Sequence, residues 1–211
     1  MAKAILFGRP GSGSAVCEAL LELTGQPYDL KIMEKLANGS NSPEMIALNP
    51  LGQVPALRTE DGTLMTESAA IALWIADLAP QAKLAPLPGD PLRAKYLRAM
   101  IFMAANCYMT ALRFYYSDRY STDADHADAI SEKALEHMHR EWEILTDMLG
   151  ENDFLLGKTI SAADLYLSML ISWEEDAAKF AAMYPALARL NKRVWGNKTV
   201  AAIWQRHGYA A

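Results

Sequence analysis

Three short segments in the first third of the chain carry residues able to do chemistry. The first is Pro10-Gly11-Ser12-Gly13-Ser14, a turn between an apolar run that stops at Gly8 and an amphipathic stretch with Val16, Ala19, Leu20 and Leu23. A turn feeding a helix presents unpaired N–H groups and the positive end of the helix dipole, which favour an anion, and a serine hydroxyl there can donate one more hydrogen bond. The commoner role of Ser12 or Ser14 in such a place is to cap the helix. The second segment is Gln53-Val54-Pro55, where a strand opens on a proline. A cis Val54–Pro55 bond would turn the N–H and C=O of Val54 outward, ready to pair with an extended peptide. An ordinary loop proline beside an edge strand accounts for the same residues. The third segment, Thr66-Glu67-Ser68, opens a helix. Its Ser68 hydroxyl and first N–H groups suit a carboxylate and Glu67 suits an ammonium, although a plain cap would use the same residue types.

These segments need a frame. Residues 3–8 read as a buried strand, and a helix follows the turn as far as Thr24-Gly25. Tyr28, Leu30 and Ile32 alternate against Asp29 and Lys31 in a second strand, and Pro43-Glu44 starts a short helix to Leu48. A strand over 53–57, a turn at 60–63 into Leu64-Met65, and a helix over 67–78 complete a mixed α/β unit. Pro80, Pro86, Pro88 and Gly89 break any helix across 80–90, so that stretch is the linker. Beyond it only helical periodicity appears, at 91–119, 123–149, 161–174, 185–195 and 198–206. The expected domains are therefore 1–79 and 91–211. On the long helix after the linker, Tyr108, Leu112 and Tyr115 share one face, a spacing more often found in a core than in a pocket. Ser161-Ala162-Ala163-Asp164 reads as a capping box, with Ile160 and Leu165 as its hydrophobic staple.

Composition removes whole classes of function. The chain has 211 residues, 52% of them apolar and 21% charged, the profile of a globular protein of two small domains. No apolar run approaches the roughly 20 residues of a membrane helix, and the first residues lack a secretory core, so the expected location is cytoplasmic. A net charge of −5 argues against a nucleic-acid face. Cys17 and Cys107 stand alone, without C-x-x-C spacing, which excludes a disulfide framework, a zinc ribbon and a dithiol redox motif. The four histidines, His126, His137, His139 and His207, form no cluster suited to a metal. Cys107 reads as a small buried apolar residue.

Combined, the three segments would receive a thiolate, a peptide backbone and an α-amino-acid head, the parts of glutathione. The chain resembles the cytosolic glutathione transferase family, and the residues that carry the resemblance are Asn49-Pro-Leu-Gly-Gln-Val-Pro-Ala-Leu57, Leu64-Met-Thr-Glu-Ser-Ala-Ala-Ile-Ala-Leu-Trp-Ile-Ala-Asp77 and Leu155-Leu-Gly-Lys-Thr-Ile-Ser-Ala-Ala-Asp-Leu165. It is most similar to bacterial members, with a turn similar to that of the serine-using delta class. The resemblance implies a thioredoxin-like N-terminal domain with a mixed four-stranded sheet, followed by an all-helical bundle. It implies that Val54 clamps the glutathione backbone beside cis Pro55, that Glu67 and Ser68 grip the γ-glutamyl group, and that Gln53 meets the glycyl end. Ser40, Arg9 and Asn106 are further ligand contacts on this view, Asn106 toward a partner subunit's ligand, and a homodimer is expected. Bacterial beta-class members carry a cysteine where this chain aligns Gly13, which moves thiolate activation to Ser12, with Ser14 as second choice. Tyr108, Leu112 and Tyr115 would then line the pocket for an apolar electrophile.

A free thiol of pKa about 8.5 is only a few per cent ionised at neutral pH. One charge-assisted hydrogen bond at about 1.5–3 kcal/mol, with a helix N-terminus at about 0.3–1 kcal/mol, is enough to lower that value by about two. The expected activity is therefore conjugation of glutathione to hydrophobic electrophiles, a detoxification chemistry needing no metal. A glutathione-dependent disulfide reductase or peroxidase, and a non-catalytic ligand-binding protein, are the competing readings.

Overall fold

Ala4, Leu6 and Phe7 are buried in β1 (Ala4–Gly8), the strand that organises the N-terminal domain. It pairs in parallel with β2 (Tyr28–Ile32) and antiparallel with β3 (Ala56–Arg58), which pairs antiparallel with β4 (Leu64–Thr66), giving the order β2-β1-β3-β4. The computed structural model describes residues 3–210; residues 1–2 and 211, at the outer ends of the two expected domains, lie outside the described residues. Helices α1 (Ser14–Thr24), α2 (Pro43–Leu48) and α3 (Ser68–Leu78) complete this half as a thioredoxin-like domain. Gly25 ends α1 in the left-handed region at φ 66°, returning its N–H to the carbonyls of Leu21 and Glu22. Ser42 caps α2 by accepting from the Met45 N–H, with Pro43 in the first turn.

Two expectations shift here. The alternation in the second strand predicts Leu30 and Ile32 on a core face, yet both are exposed, because β2 is the edge of the sheet. The third strand begins at Ala56, not at Gln53, so Gln53-Val54-Pro55 form the approach to the strand. Proline has no N–H to give a ladder, and the pairing starts just past it.

The connector is tied at both ends. Pro80–Ala82 form a single 3-10 turn. Arg93 at the start of α4 (Arg93–Phe102) reaches back to both carboxylate oxygens of Asp77 at 2.7 Å and to the Pro86 carbonyl at 2.8 Å. Further on, the Ala162 N–H donates to the Leu84 carbonyl at 2.7 Å.

The C-terminal domain is helical: α5 (Tyr108–Tyr115), α6 (Ala127–Leu149), α7 (Ala162–Ile171), α8 (Ala177–Met183), α9 (Pro185–Trp195) and α10 (Lys198–Arg206). The long helix expected over 91–119 is interrupted by a π-helical turn at Met103–Cys107, a wide turn that resets the face presented by α5. Helix α8 escapes a search for periodicity because it is short; Asp176 sets its start by accepting from the Lys179 N–H. Asp164, fully buried at the start of α7, accepts from Leu155 N–H, Ser161 N–H and Ser161 Oγ, each at 2.7 Å. Ile160 is half-buried and Leu165 buried, as the staple requires.

One apolar cluster crosses between the domains. Leu20, Ile71 and Ile75 from α1 and α3 pack in the same core as Tyr96, Met100, Leu165 and Tyr166 from α4 and α7. Fully burying each such Leu or Ile contributes about 1.5–3 kcal/mol, so the two halves hold each other in a fixed relation. Polar contacts reinforce it at α10. Glu18 on α1, 1% exposed, takes His207 Nε2 at 2.8 Å and Arg206 Nη2 at 2.7 Å.

Candidate functional site

The turn between β1 and α1 is a closed set of hydrogen bonds. Ser12 Oγ donates to the Arg9 carbonyl at 2.6 Å, and Ser14 Oγ donates to the same carbonyl at 3.0 Å. Ser14 Oγ also accepts from the Arg9 N–H at 3.1 Å, and the two hydroxyl oxygens are 2.9 Å apart. Ser14 is wholly buried, whereas Ser12 is half-buried. A Cβ on Gly8 would sit 2.7 Å from Ser14 Oγ, so that glycine makes room for the inner serine. The residue before α1 is Gly13, which has no side chain to cap with. The nearest approach to a cap is a long 3.3 Å bond from the Ser14 N–H to Ser12 Oγ.

Above this turn stands Tyr108, from the other domain. A Cβ on Gly13 would lie 3.2 Å from the Tyr108 phenol oxygen, from its ring and from Ser68 Cβ. The Gly13 N–H faces that phenol and favours its ionised form, but burial dominates and pushes Tyr108 up to about 12. At neutral pH the phenol is therefore a proton donor. Its ring is held edge-on by Trp173 at 4.9 Å between centroids. Trp173 donates through Nε1 to the Tyr209 hydroxyl at 3.0 Å, and Tyr209 donates to the Ser12 carbonyl at 3.4 Å. The turn is thus supported by residues from the far end of the chain.

The Val54–Pro55 peptide is cis. Among the described residues neither the N–H nor the C=O of Val54 enters a hydrogen bond. Asn49 holds the neighbouring Gln53 carbonyl through Nδ2 at 2.8 Å. Glu67, exposed, adopts φ 70° and ψ 109°, a backbone state that side chains rarely take. Ser68 follows it as the first residue of α3, half-buried, with its Oγ 2.8 Å from the Tyr166 hydroxyl of α7. Ser12, Ser14 and Arg9 share the turn, and Gly13 brings Tyr108 and Ser68 against it.

The Arg9 side chain and the remaining sequence candidates stand apart from this knot. Arg9 Nε donates to the Met33 carbonyl at 2.9 Å, while its buried Nη2 has no partner among the described residues. Ser40 is exposed and bound to Asn38 Oδ1 by its hydroxyl at 2.7 Å. Its neighbour Asn41 presses on the loop before Gln53, since a Cβ on Gly52 would fall 2.2 Å from Asn41 Nδ2. Gln53 is exposed. Asn106 lies exposed in the π turn, donating to the Phe102 carbonyl at 3.2 Å. Leu112 is half-buried on α5. Tyr115 donates to the Trp173 carbonyl and lines a small internal cavity with Glu141, Trp142 and Glu174. Burial raises the carboxyl pKa of both Glu141 and Glu174 there.

Sequence reading missed Tyr166, Trp173, Tyr209 and Asn41. Tyr166 lies in α7, two residues past Asp164, and its partner Ser68 is 98 residues away, beyond the reach of local pattern. No group of metal-binding side chains is found among the described residues. No helix among them is long and apolar enough to cross a membrane.

Comparison with known proteins agrees with this architecture. Residues 14–78 match the family model described as glutathione S-transferase, N-terminal domain, and residues 106–206 match that of the C-terminal domain. An uncharacterized GST-like protein, YncG of Escherichia coli, is 30% identical over 195 residues, covering 89% of this chain and 93% of the relative. Glutathione S-transferase GstA of another Escherichia coli strain is 27% identical, covering 80% and 81% of the two chains. Among solved structures, a glutathione transferase homolog from Sulfitobacter with bound glutathione superposes with a TM-score of 0.88 at 26% identity, each chain covered to 100%.

Proposed function

This chain belongs to the glutathione S-transferase family, and from that premise we propose that it joins glutathione to small hydrophobic electrophiles, with Ser12 holding the sulfur as a thiolate. The observation that carries the choice of Ser12 is the shared Arg9 carbonyl. Two hydroxyls donate to it, so Ser12 can turn its proton to a sulfur while Ser14 keeps the carbonyl satisfied. Ser14, wholly buried, is the brace. Val54 offers an unengaged N–H and C=O to the cysteinyl backbone, and Glu67 and Ser68 meet the γ-glutamyl ammonium and carboxylate. Gln53 meets the glycyl end, Ser40 is a further contact to the ligand, and Arg9 is an electrostatic helper at the turn. Asn106 is the reach toward a partner's ligand.

In the reaction the thiol gives its proton to solvent water. The thiolate then forms a carbon–sulfur bond to the electrophile, and where the electrophile is an aryl halide the halide leaves with its electron pair. Tyr108, protonated and fixed against Trp173, faces the reacting atoms from the helical side, with Leu112 beside it on α5. Metal is not required for any of these steps. Reduction of a disulfide or hydroperoxide by glutathione is the second reading, and the same Ser12 thiolate would serve it.

The working division is a glutathione-binding domain over 1–79, a connector over 80–90 and a substrate-binding domain over 91–211. A cytoplasmic homodimer with a detoxifying role completes the reading. Leu51, 69% exposed, and Ile101, 52% exposed, are apolar surface that a second copy would cover. The deciding assay is conjugation of a chloronitrobenzene followed by absorbance. Product formation with a rate limb set by one thiol supports the proposal. Reduction of a small mixed disulfide without any conjugate would favour the second reading, and sedimentation as a monomer at micromolar concentration would remove the dimer.

A further inference from the structure

Ser68 and Tyr166 are 98 residues apart and meet at 2.8 Å, across the boundary between α3 and α7. Distance alone allows either oxygen to donate. Burial decides the direction. Tyr166 is 0% exposed, and Ser68 Oγ is the one hydrogen-bond partner of its hydroxyl among the described residues. Were Ser68 the donor, the phenol proton would be stranded in an apolar interior, a costly arrangement that folded proteins avoid. Ser68 is only half-buried, so its own proton can reach outward. The bond therefore runs from Tyr166 to Ser68, and a serine hydroxyl that accepts on one side has its single proton left for the other.

We propose that Tyr166 is a positioning residue for glutathione: by donating to Ser68 Oγ it locks the Ser68 hydroxyl as an outward donor to the γ-glutamyl carboxylate. This deepens the reading that Ser68 grips that carboxylate and rests on it. The α3 N-terminus supplies free N–H groups to the same anion, and the fixed hydroxyl adds a hydrogen bond that needs no reorientation when the ligand arrives. The helical domain thereby takes part in holding the peptide, not only the electrophile. Tyr166 itself is out of reach of any ligand and acts through the serine alone.

Calorimetric titration with two ligands tests this: glutathione, and an analogue lacking the γ-glutamyl α-carboxylate. Tyr166→Phe should weaken glutathione about 3- to 10-fold, the loss expected for one hydrogen bond. It should leave the analogue's affinity and the pKa of the bound thiol where they were. A purely structural role would lower the melting temperature without separating the two ligands. Equal weakening of both, or unchanged affinity for glutathione, overturns the inference. If the Phe variant folds too poorly to titrate, Ser68→Ala gives the same contrast, and equal affinity of parent and variant for glutathione overturns it. A parent protein that does not bind glutathione at all sinks the underlying reading first.

Discussion

The starts of α1 and α3 look alike in sequence, a serine beside a glycine or an acid at the mouth of a helix, and they differ in how their hydroxyls are committed. At α1, Ser12 and Ser14 both give their protons to the Arg9 carbonyl, and the set is closed within six residues. At α3 the hydroxyl of Ser68 is engaged from behind by a tyrosine of another domain and is open in front. The first arrangement holds a redundant donor in reserve, suited to a charge that appears only when a thiol ionises. The second presents a donor already aimed, suited to a charge that the ligand always carries. On the proposed reading, activation and grip are thus separated by how each serine is supported.

Four substitutions test that contrast, from the largest effect down. Ser12→Ala removes the reserve donor and should raise the pKa of the bound thiol by about one to two, from a hydrogen bond of about 1.5–3 kcal/mol. Because the thiolate is the reactive form, turnover at neutral pH should fall roughly 10- to 100-fold and recover as pH rises; a thiolate absorbance titration identical to the parent's excludes Ser12. Ser14→Ala removes the acceptor of the Arg9 N–H and should cost about 1–3 kcal/mol of stability in denaturant unfolding, while the thiol pKa stays put. A shift of that pKa instead would exchange the roles of the two serines. Ser68→Ala should weaken glutathione about tenfold and also lower the melting temperature, since the Tyr166 proton loses its acceptor. Unchanged melting would show that Tyr166 had another outlet. Tyr108→Phe should be mildest, a few-fold loss in kcat/KM for the chloronitrobenzene with glutathione affinity intact; weakened glutathione binding would place Tyr108 on the grip side.

Local signals carried much of the fold. Gly25, Pro43, the proline-rich connector and the Ser161–Asp164 box each act within a few residues, so their element boundaries could be read directly. The edge position of β2 could not, because alternation reports two faces but not whether either is covered. The π turn at Met103–Cys107 left the spacing of Tyr108, Leu112 and Tyr115 unaltered within α5 and changed only what precedes it. For the candidate site, the serines, Val54 and Glu67 could be proposed from type and neighbours. Tyr166, Tyr209 and Trp173 did not, since their relevance lies in partners 98, 197 and 36 residues distant.

The contact between Tyr209 and the Ser12 carbonyl has a consequence in time. A ribosome adds about 5–20 residues per second, so roughly 10–40 s separate the emergence of the turn from that of the side chain beneath it. Throughout that interval a growing chain can form β1 and α1 yet lacks the clasp of Arg206 and His207 on Glu18 and the aromatic floor of the turn. On the proposed reading, competence to hold a sulfur waits for the segment that carries Arg206, His207 and Tyr209.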